Sequence, residues 1–246
     1  MNGILLESRA GLFREKLDTI KREIDPNFPW YPYRSMDNFS QLKYIFNKFP
    51  LETLVGQELK TLDFGSADGD LSFFLESLGY NVDIFDFPPT NFNGLRGARL
   101  LKQRLNSAVN IYECDLDSQF PPLTEKYGVI FLLGILYHLK NPYYILENLN
   151  KNTDYLIVST RIARYTPDGT KIERNPVAYL LGPTESNNDA TNYWIFSSKG
   201  LERIFERTGW EIKDMFTIGD TRKSNPSDNK HDERAFALLK SKHFSH

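Results

Sequence analysis

The chain has 246 residues, 40% apolar and 25% charged, with a formal charge of −2 and one cysteine, Cys114. That length suits a single α/β core, and the near-neutral balance gives no global attraction to phosphate backbones or anionic lipid, so nucleic acid is neither implied nor excluded. One cysteine excludes an internal disulfide and a cysteine zinc cluster and fits a reducing cytoplasm.

The amino-terminal stretch "MNGILLESRAGLFREK" mixes charges among its apolar residues and lacks the run of a secretory signal. From Ile4 to Ile24 apolar residues recur at helical spacing, which predicts an amphipathic helix. "DPNFPWYPYRSMDNF" follows, with three prolines and several rings, a non-helical segment able to cross over a pocket. Gln41 to Phe49 reads as a short second helix, so residues 1–50 form a helical cap.

From Leu59 short apolar runs alternate with helical patterns: "LKTLDF", "DLSFFLESLG", "NVDIFD", "GLRGARLLKQRL", "VNIYEC", "GVIFLLG", "NPYYILENLN", "DYLIVSTRI". Strands alternating with helices imply βαβ units and a doubly wound, Rossmann-like, mostly parallel sheet of about seven strands. The longest apolar run, "YGVIFLLGILYHL", is short of the roughly 20 residues that span a bilayer, so a soluble cytoplasmic protein is expected. Residues 163–196 exceed the usual connection of about 4 to 6 residues and read as a lid inserted after the fifth strand. Helix "SSKGLERIFERTG" and strands "WEIKDMFTI" and "ERAFALLK" close the chain; with no helix between them, those two strands are expected to pair antiparallel.

The chemistry begins at "DFGSADG". Gly65, Ala67 and Gly69 are spaced two apart, directly after a strand and before a helix, where small residues let the backbone turn and a ligand approach free N–H groups. A dinucleotide loop needs glycine at the sixth position, where Asp70 stands here, and no Gly-Lys-Ser or Gly-Lys-Thr supports a phosphate loop. A ligand without phosphates remains; the alternative is an α/β domain with ordinary tight turns and solvated aspartates.

This pattern resembles the cofactor loop of class I S-adenosylmethionine (SAM) methyltransferases. The resemblance implies that Asp63, Phe64, Gly65, Ser66, Ala67 and Gly69 hold the amino-acid end of SAM, with Ala67 in place of a more usual glycine. It implies ribose binding by Asp86, beside Phe87, and adenine contact at Asp115 and Leu116, with Leu133 and Gly134 at the fourth strand end completing the cofactor site. Residues 51–162 then form the SAM-binding half.

Tyr137 and His138, just past the fourth strand, are placed to meet an acceptor, because ligands of doubly wound folds sit at the carboxyl ends of strands. His138 is the candidate base for an oxygen or nitrogen acceptor, the alternative being a histidine that hydrogen-bonds a loop. "GILYHLKNPYYILENL" and "NYWIFSSKGLERIFERTGW" resemble the tRNA wobble-uridine carboxymethyltransferases, in which a lysine, a tyrosine and an arginine hold the extra carboxylate of carboxy-SAM. Tyr137 matches the tyrosine, Arg234 can match the arginine, and Arg34 is the one substitute for the lysine. Arg161, Asn187 and Tyr193 mix rings with hydrogen-bonding groups, as acceptor recognition needs. No His, Asp or Glu spacing suggests a metal site. The expectation is a SAM-dependent enzyme that methylates a small-molecule acceptor, with a tRNA-modifying enzyme and a non-catalytic SAM-fold partner subunit as the rivals.

Overall fold

The structure is a computed structural model describing residues 1–56, 60–118, 123 and 125–243; Leu59, where the sequence places the start of the first strand, lies outside them. Among these residues the chain forms two compact units, the first comprising residues 1–115 and the chain up to 131, the second 116–118 and the chain from 132 onward.

The first unit opens with α1 (Gly3–Ile24), capped by Asn2, whose side chain accepts from the Leu5 N–H. Its buried stripe of Leu6, Ala10, Leu17 and Ile20 follows the helical period, and Lys21 and Arg22 oppose the dipole in the last turn. A 3-10 turn over Ser35–Asn38 interrupts the proline-rich crossing before α2 (Phe39–Lys48) and the short α3 (Leu51–Val55). Then come β1 (Lys60–Phe64), α4 (Asp70–Ser77), β2 (Asn81–Asp86), α5 (Arg96–Leu105), β3 (Asn110–Glu113) and β4 (Tyr127–Leu133), the last two residues of β4 belonging to the second unit. β1 pairs in parallel with β2 and β4, and β2 with β3, as βαβ units demand. Leu62, Phe64, Ile84, Val129 and Ile130 are almost wholly buried, so the sheet reads as near-continuous apolar runs.

The second unit contains α6 (Pro142–Asn150), β5 (Thr153–Ile162), β6 (Ala178–Leu180), β7 (Trp194–Phe196), α7 (Ser198–Arg207), β8 (Trp210–Gly219) and β9 (Glu233–Ser241). Asn141 caps α6 with proline at its first turn, and Ser197 caps α7. β5 pairs in parallel with β7 and antiparallel with β9, and β8 pairs antiparallel with β9, as the missing helix between them required. Trp210 is fully buried, its Nε1 donating to the Leu146 carbonyl at 3.0 Å. Nine strands stand among the described residues where about seven were expected. The additional pair, β6 and β7, are three-residue strands inside the 163–196 connection, too short for alternation to show in sequence.

β4 passes close to α3: a Cβ on Gly128 would lie 2.0 Å from the Val55 carbonyl oxygen, and backbone cannot rotate aside. Gly128→Ala is expected to destabilise the protein by about 1–3 kcal/mol through overpacking, read as a lower denaturant midpoint at unchanged m.

Candidate functional site

In the first unit, β1 ends in Asp63 and the loop that follows is left-handed at alternate residues: Gly65 (φ 66), Ala67 (φ 57) and Gly69 (φ 82). Glycine tolerates that conformation freely, but Ala67 carries a Cβ and must be held there. The holder is Asp86 at the end of β2. Its Oδ2 accepts the Ala67 N–H at 3.2 Å and the Asn91 side-chain amide at 3.0 Å, while Oδ1 accepts the Phe87 N–H at 2.8 Å. The same Asn91 amide donates to the Ala67 carbonyl at 3.1 Å, so Ala67 is tied through both its N–H and its carbonyl. Burial raises the Asp86 carboxyl, and these N–H bonds act against the shift.

Asp63 is buried and accepts from Ser72 Oγ at 2.7 Å. Burial pushes it up to about 7, against the Ser72 bond and with the help of the nearby Asp86 and Asp70 charges. Ser66 Oγ is buried with no hydrogen-bond partner in the protein, an uncommon state that a polar ligand group at the loop would resolve. A buried neutral-to-anionic carboxyl, an orphaned hydroxyl and a second carboxylate with lone pairs to spare suit an amino-acid end and a ribose. The residues therefore fit SAM.

Asp68, which the sequence did not single out, anchors the proline-rich segment to this loop. Its Oδ2 accepts the Tyr31 N–H at 2.8 Å and Lys21 Nζ at 3.2 Å, and its Oδ1 accepts Asn93 Nδ2 at 2.7 Å. Lys21 also pairs with Asp70 at 2.9 Å. No motif signalled this set, because its partners are 47 and 25 residues away in the chain.

In the second unit, Gly134 (φ 75) follows Leu133 and donates its N–H to the Ser159 carbonyl at 2.8 Å. A 3-10 turn over Leu136–His138 then presents Tyr137 and His138. His138 Nδ1 lies 3.0 Å from the Thr191 carbonyl oxygen. A carbonyl only accepts, so Nδ1 carries the proton and Nε2 keeps its lone pair in the neutral ring. Burial lowers this histidine below its ordinary value, which favours that neutral form near pH 7. Thr191 is fixed in turn by Asp189, which accepts both its N–H and its hydroxyl.

The other expected residues fall into distinct surroundings. Tyr193 donates its N–H to the Tyr137 carbonyl at 2.8 Å, and the Lys140 ammonium lies 5.8 Å from the Tyr193 ring. Arg234 lies over the Tyr137 ring at 5.7 Å. Arg161 is buried, bonded to Ser186 Oγ and paired with Asp232. Asn187 is exposed with a left-handed backbone (φ 57), and Arg34, in the first unit, is exposed with its guanidinium 4.0 Å from Asp18. Asp115 and Leu116 are half-buried just after β3. Among the described residues no cluster of three His, Cys, Asp or Glu side chains could hold a metal ion, and no helix is long and apolar enough to cross a membrane.

A family model described as a methyltransferase domain matches residues 25–214. The chain belongs to that family. It is a SAM-dependent methyltransferase, as the loop and its acids imply. Among solved structures, this methyltransferase resembles the N-terminal domain of EvdMO1 with S-adenosylhomocysteine (SAH) bound, at 13% identity and TM-score 0.59 over 93% of this chain and 97% of that one. It also resembles a SAM-dependent methyltransferase from Mesorhizobium loti, at 13% identity and TM-score 0.60 over 82% of this chain and 97% of that one. TehB from Haemophilus influenzae is similar at 19% identity and TM-score 0.55 over 86% of this chain and 63% of that one. A search of curated proteins finds no match. At such identities the structural likeness speaks for the fold alone.

The raised Asp63 carboxyl has a consequence for the free methyltransferase. An aspartate held near 7 when folded and near its ordinary value when unfolded binds more protons in the native state between those two values, so its contribution to stability falls as pH rises from about 4 to 7. Asp63→Asn is expected to flatten the pH dependence of the unfolding free energy across that window, measured by urea titrations at successive pH values.

Proposed function

We propose that this methyltransferase transfers the methyl group of SAM to an oxygen or nitrogen atom of a small-molecule acceptor, with His138 as the base that takes the acceptor's proton. The observation that carries the reading is the 3.0 Å contact of His138 Nδ1 with the Thr191 carbonyl oxygen, an acceptor that leaves the Nε2 lone pair for the acceptor's proton. SAM supplies an electrophilic methyl on a sulfonium, and its transfer is an in-line displacement that depends mainly on holding donor and acceptor at contact distance. In this reading Asp63, Ser66 and the Gly65–Gly69 backbone bind the amino-acid end, and Asp86 accepts the ribose hydroxyls. In the first unit Asp115 contacts the adenine, and in the second the 163–196 segment serves as a lid over the acceptor. Tyr137 and Tyr193 line the acceptor side.

A second reading takes carboxy-SAM as donor and tRNA as acceptor, as the wobble-uridine resemblance implies. One observation favours it: Arg234 and Tyr137 lie together, with Arg234 Nη1 and Tyr137 Oη each 3.6 Å from where a Gly134 Cβ would be. Calorimetric titration with SAM, SAH and carboxy-SAM separates the two. Comparable affinity for SAM and SAH with no preference for carboxy-SAM supports the small-molecule reading, and a marked carboxy-SAM preference puts the tRNA reading in its place.

Asp86→Asn keeps the shape of the side chain but loses one acceptor and the charge. SAH binding is expected to weaken by about 1.5–3 kcal/mol, roughly ten- to a hundredfold in Kd; unchanged affinity would remove Asp86 from the site. For His138, the acid limb of the kcat pH profile is expected below the ordinary imidazole value, since burial lowers the ring. His138→Gln should lower kcat by about a hundredfold or more and abolish that limb, with SAH affinity unchanged.

A further inference from the structure

Arg161 and Arg234 stand directly opposite each other in the antiparallel pairing of β5 with β9, so their side chains leave the same face of the sheet. Like charges at that register are destabilising, and ordinarily a carboxylate for each arginine would offset them. Only one is present: Asp232 pairs with Arg161, and among the described residues the Arg234 guanidinium has no ion pair and no hydrogen bond, only the Tyr137 ring beneath it. The neighbouring acids are already engaged, Glu233 with Arg164 and Ser224, and Glu185 with Tyr179 and Ser227.

Four buried polar atoms around this pair have no hydrogen-bond partner: two can donate, on Arg161 and Ser159, and two only accept, Asn192 Oδ1 and the Asp232 Oδ1 that faces Arg161 as an ion pair. Arg161 is 5% exposed and its Nη2 has no acceptor. Ser159, two residues earlier and hence on the same face of β5, has an unpaired hydroxyl, and Asn192 has an unpaired Oδ1. Asn192 and Arg161 meet at Ser186, the first donating to its carbonyl at 3.2 Å and the second to its hydroxyl. A purely structural arginine has its buried donors satisfied, because desolvation of an unmade charged hydrogen bond goes uncompensated. Excess positive charge beside unmade donors matches an oxyanion, which guanidinium groups bind through paired N–H bonds.

We propose that Arg161 and Arg234 form an oxyanion subsite for the acceptor, so that the molecule methylated carries a carboxylate or a phosphate. The pair binds that group, the Ser159 hydroxyl donates to it, and His138 of the same unit takes the proton from the acceptor atom. The inference rests on the methyl-transfer reading above and adds to it the charge of the substrate.

The test is calorimetric titration of inorganic phosphate and of benzoate into the full-length protein at constant ionic strength, first free and then saturated with SAH. SAH binding in the first step reports on the methyltransferase reading independently of the subsite. Saturable binding of at least one anion is expected, weakened about tenfold or more in Arg234→Gln, as loss of a charge-assisted hydrogen bond implies, with SAH affinity within twofold of wild type. Arg161→Lys should act in the same direction, and if that buried variant fails to fold, Arg234→Gln carries the test alone. Arg234→Gln should also melt no lower than wild type, since it removes a like-charge pair; a lower melting temperature with unchanged anion binding would assign Arg234 a structural role. Absence of saturable binding for both anions overturns the subsite. So does a tenfold preference for carboxy-SAM over SAM that vanishes in Arg234→Gln, which would give the pair to the donor.

Discussion

A carboxylate without a cation organises the first unit. No lysine or arginine pairs with Asp86 among the described residues, and three N–H donors from Ala67, Phe87 and Asn91 take that place. A carboxylate that accepts several N–H bonds can stay ionised although burial opposes it. The same bonds hold Ala67 in a left-handed conformation that its Cβ resists, so the charge of the acid and the shape of the loop have one cause. Loosening either would release the other, and with it the turn between β1 and α4 that exposes the loop's backbone.

The two units treat their buried charges differently. In the first, Lys21 faces both Asp68 and Asp70, and Asp68 has its remaining capacity taken by Asn93 and the Tyr31 N–H. Each of these three charges faces an opposite one, as the heavy cost of an isolated buried ion requires. Gly97 belongs to this arrangement, because a Cβ at that position would lie 2.1 Å from Asp68 Oδ1. In the second unit the Arg164, Glu233 and Ser224 set is equally closed. Beside those closed sets, the unpaired Nη2 of Arg161 and, among the described residues, the unpaired guanidinium of Arg234 stand apart.

Much of this was legible before any coordinates. Alternating apolar runs and helical patterns marked the parallel strands and helices, because a strand buried on both faces must be apolar along its length. Small residues at 65, 67 and 69 marked a loop, and Asp86 was visible as an acid at a strand end. The five-residue α3 and the short strands β6 and β7 were not, since segments so brief carry no measurable period. Arg34 and Asn187 read as binding groups by type, and the structure adds that both are exposed, which residue type does not record.

The amino-acid sequence by itself determined the class of fold, the family and the cofactor, because these depend on local pattern: a period, a spacing, an acid at the end of an apolar run. Only the tertiary structure decided which polar groups are satisfied and by whom. The tautomer of His138 is set by a carbonyl 53 residues away, the anchor of the cofactor loop by Lys21 and Asn93, and the opposition of Arg161 to Arg234 by a strand register. Hydrogen bonds and ion pairs of that reach are made by chain topology, which brings distant residues within about 3 Å. No spacing in the sequence records them.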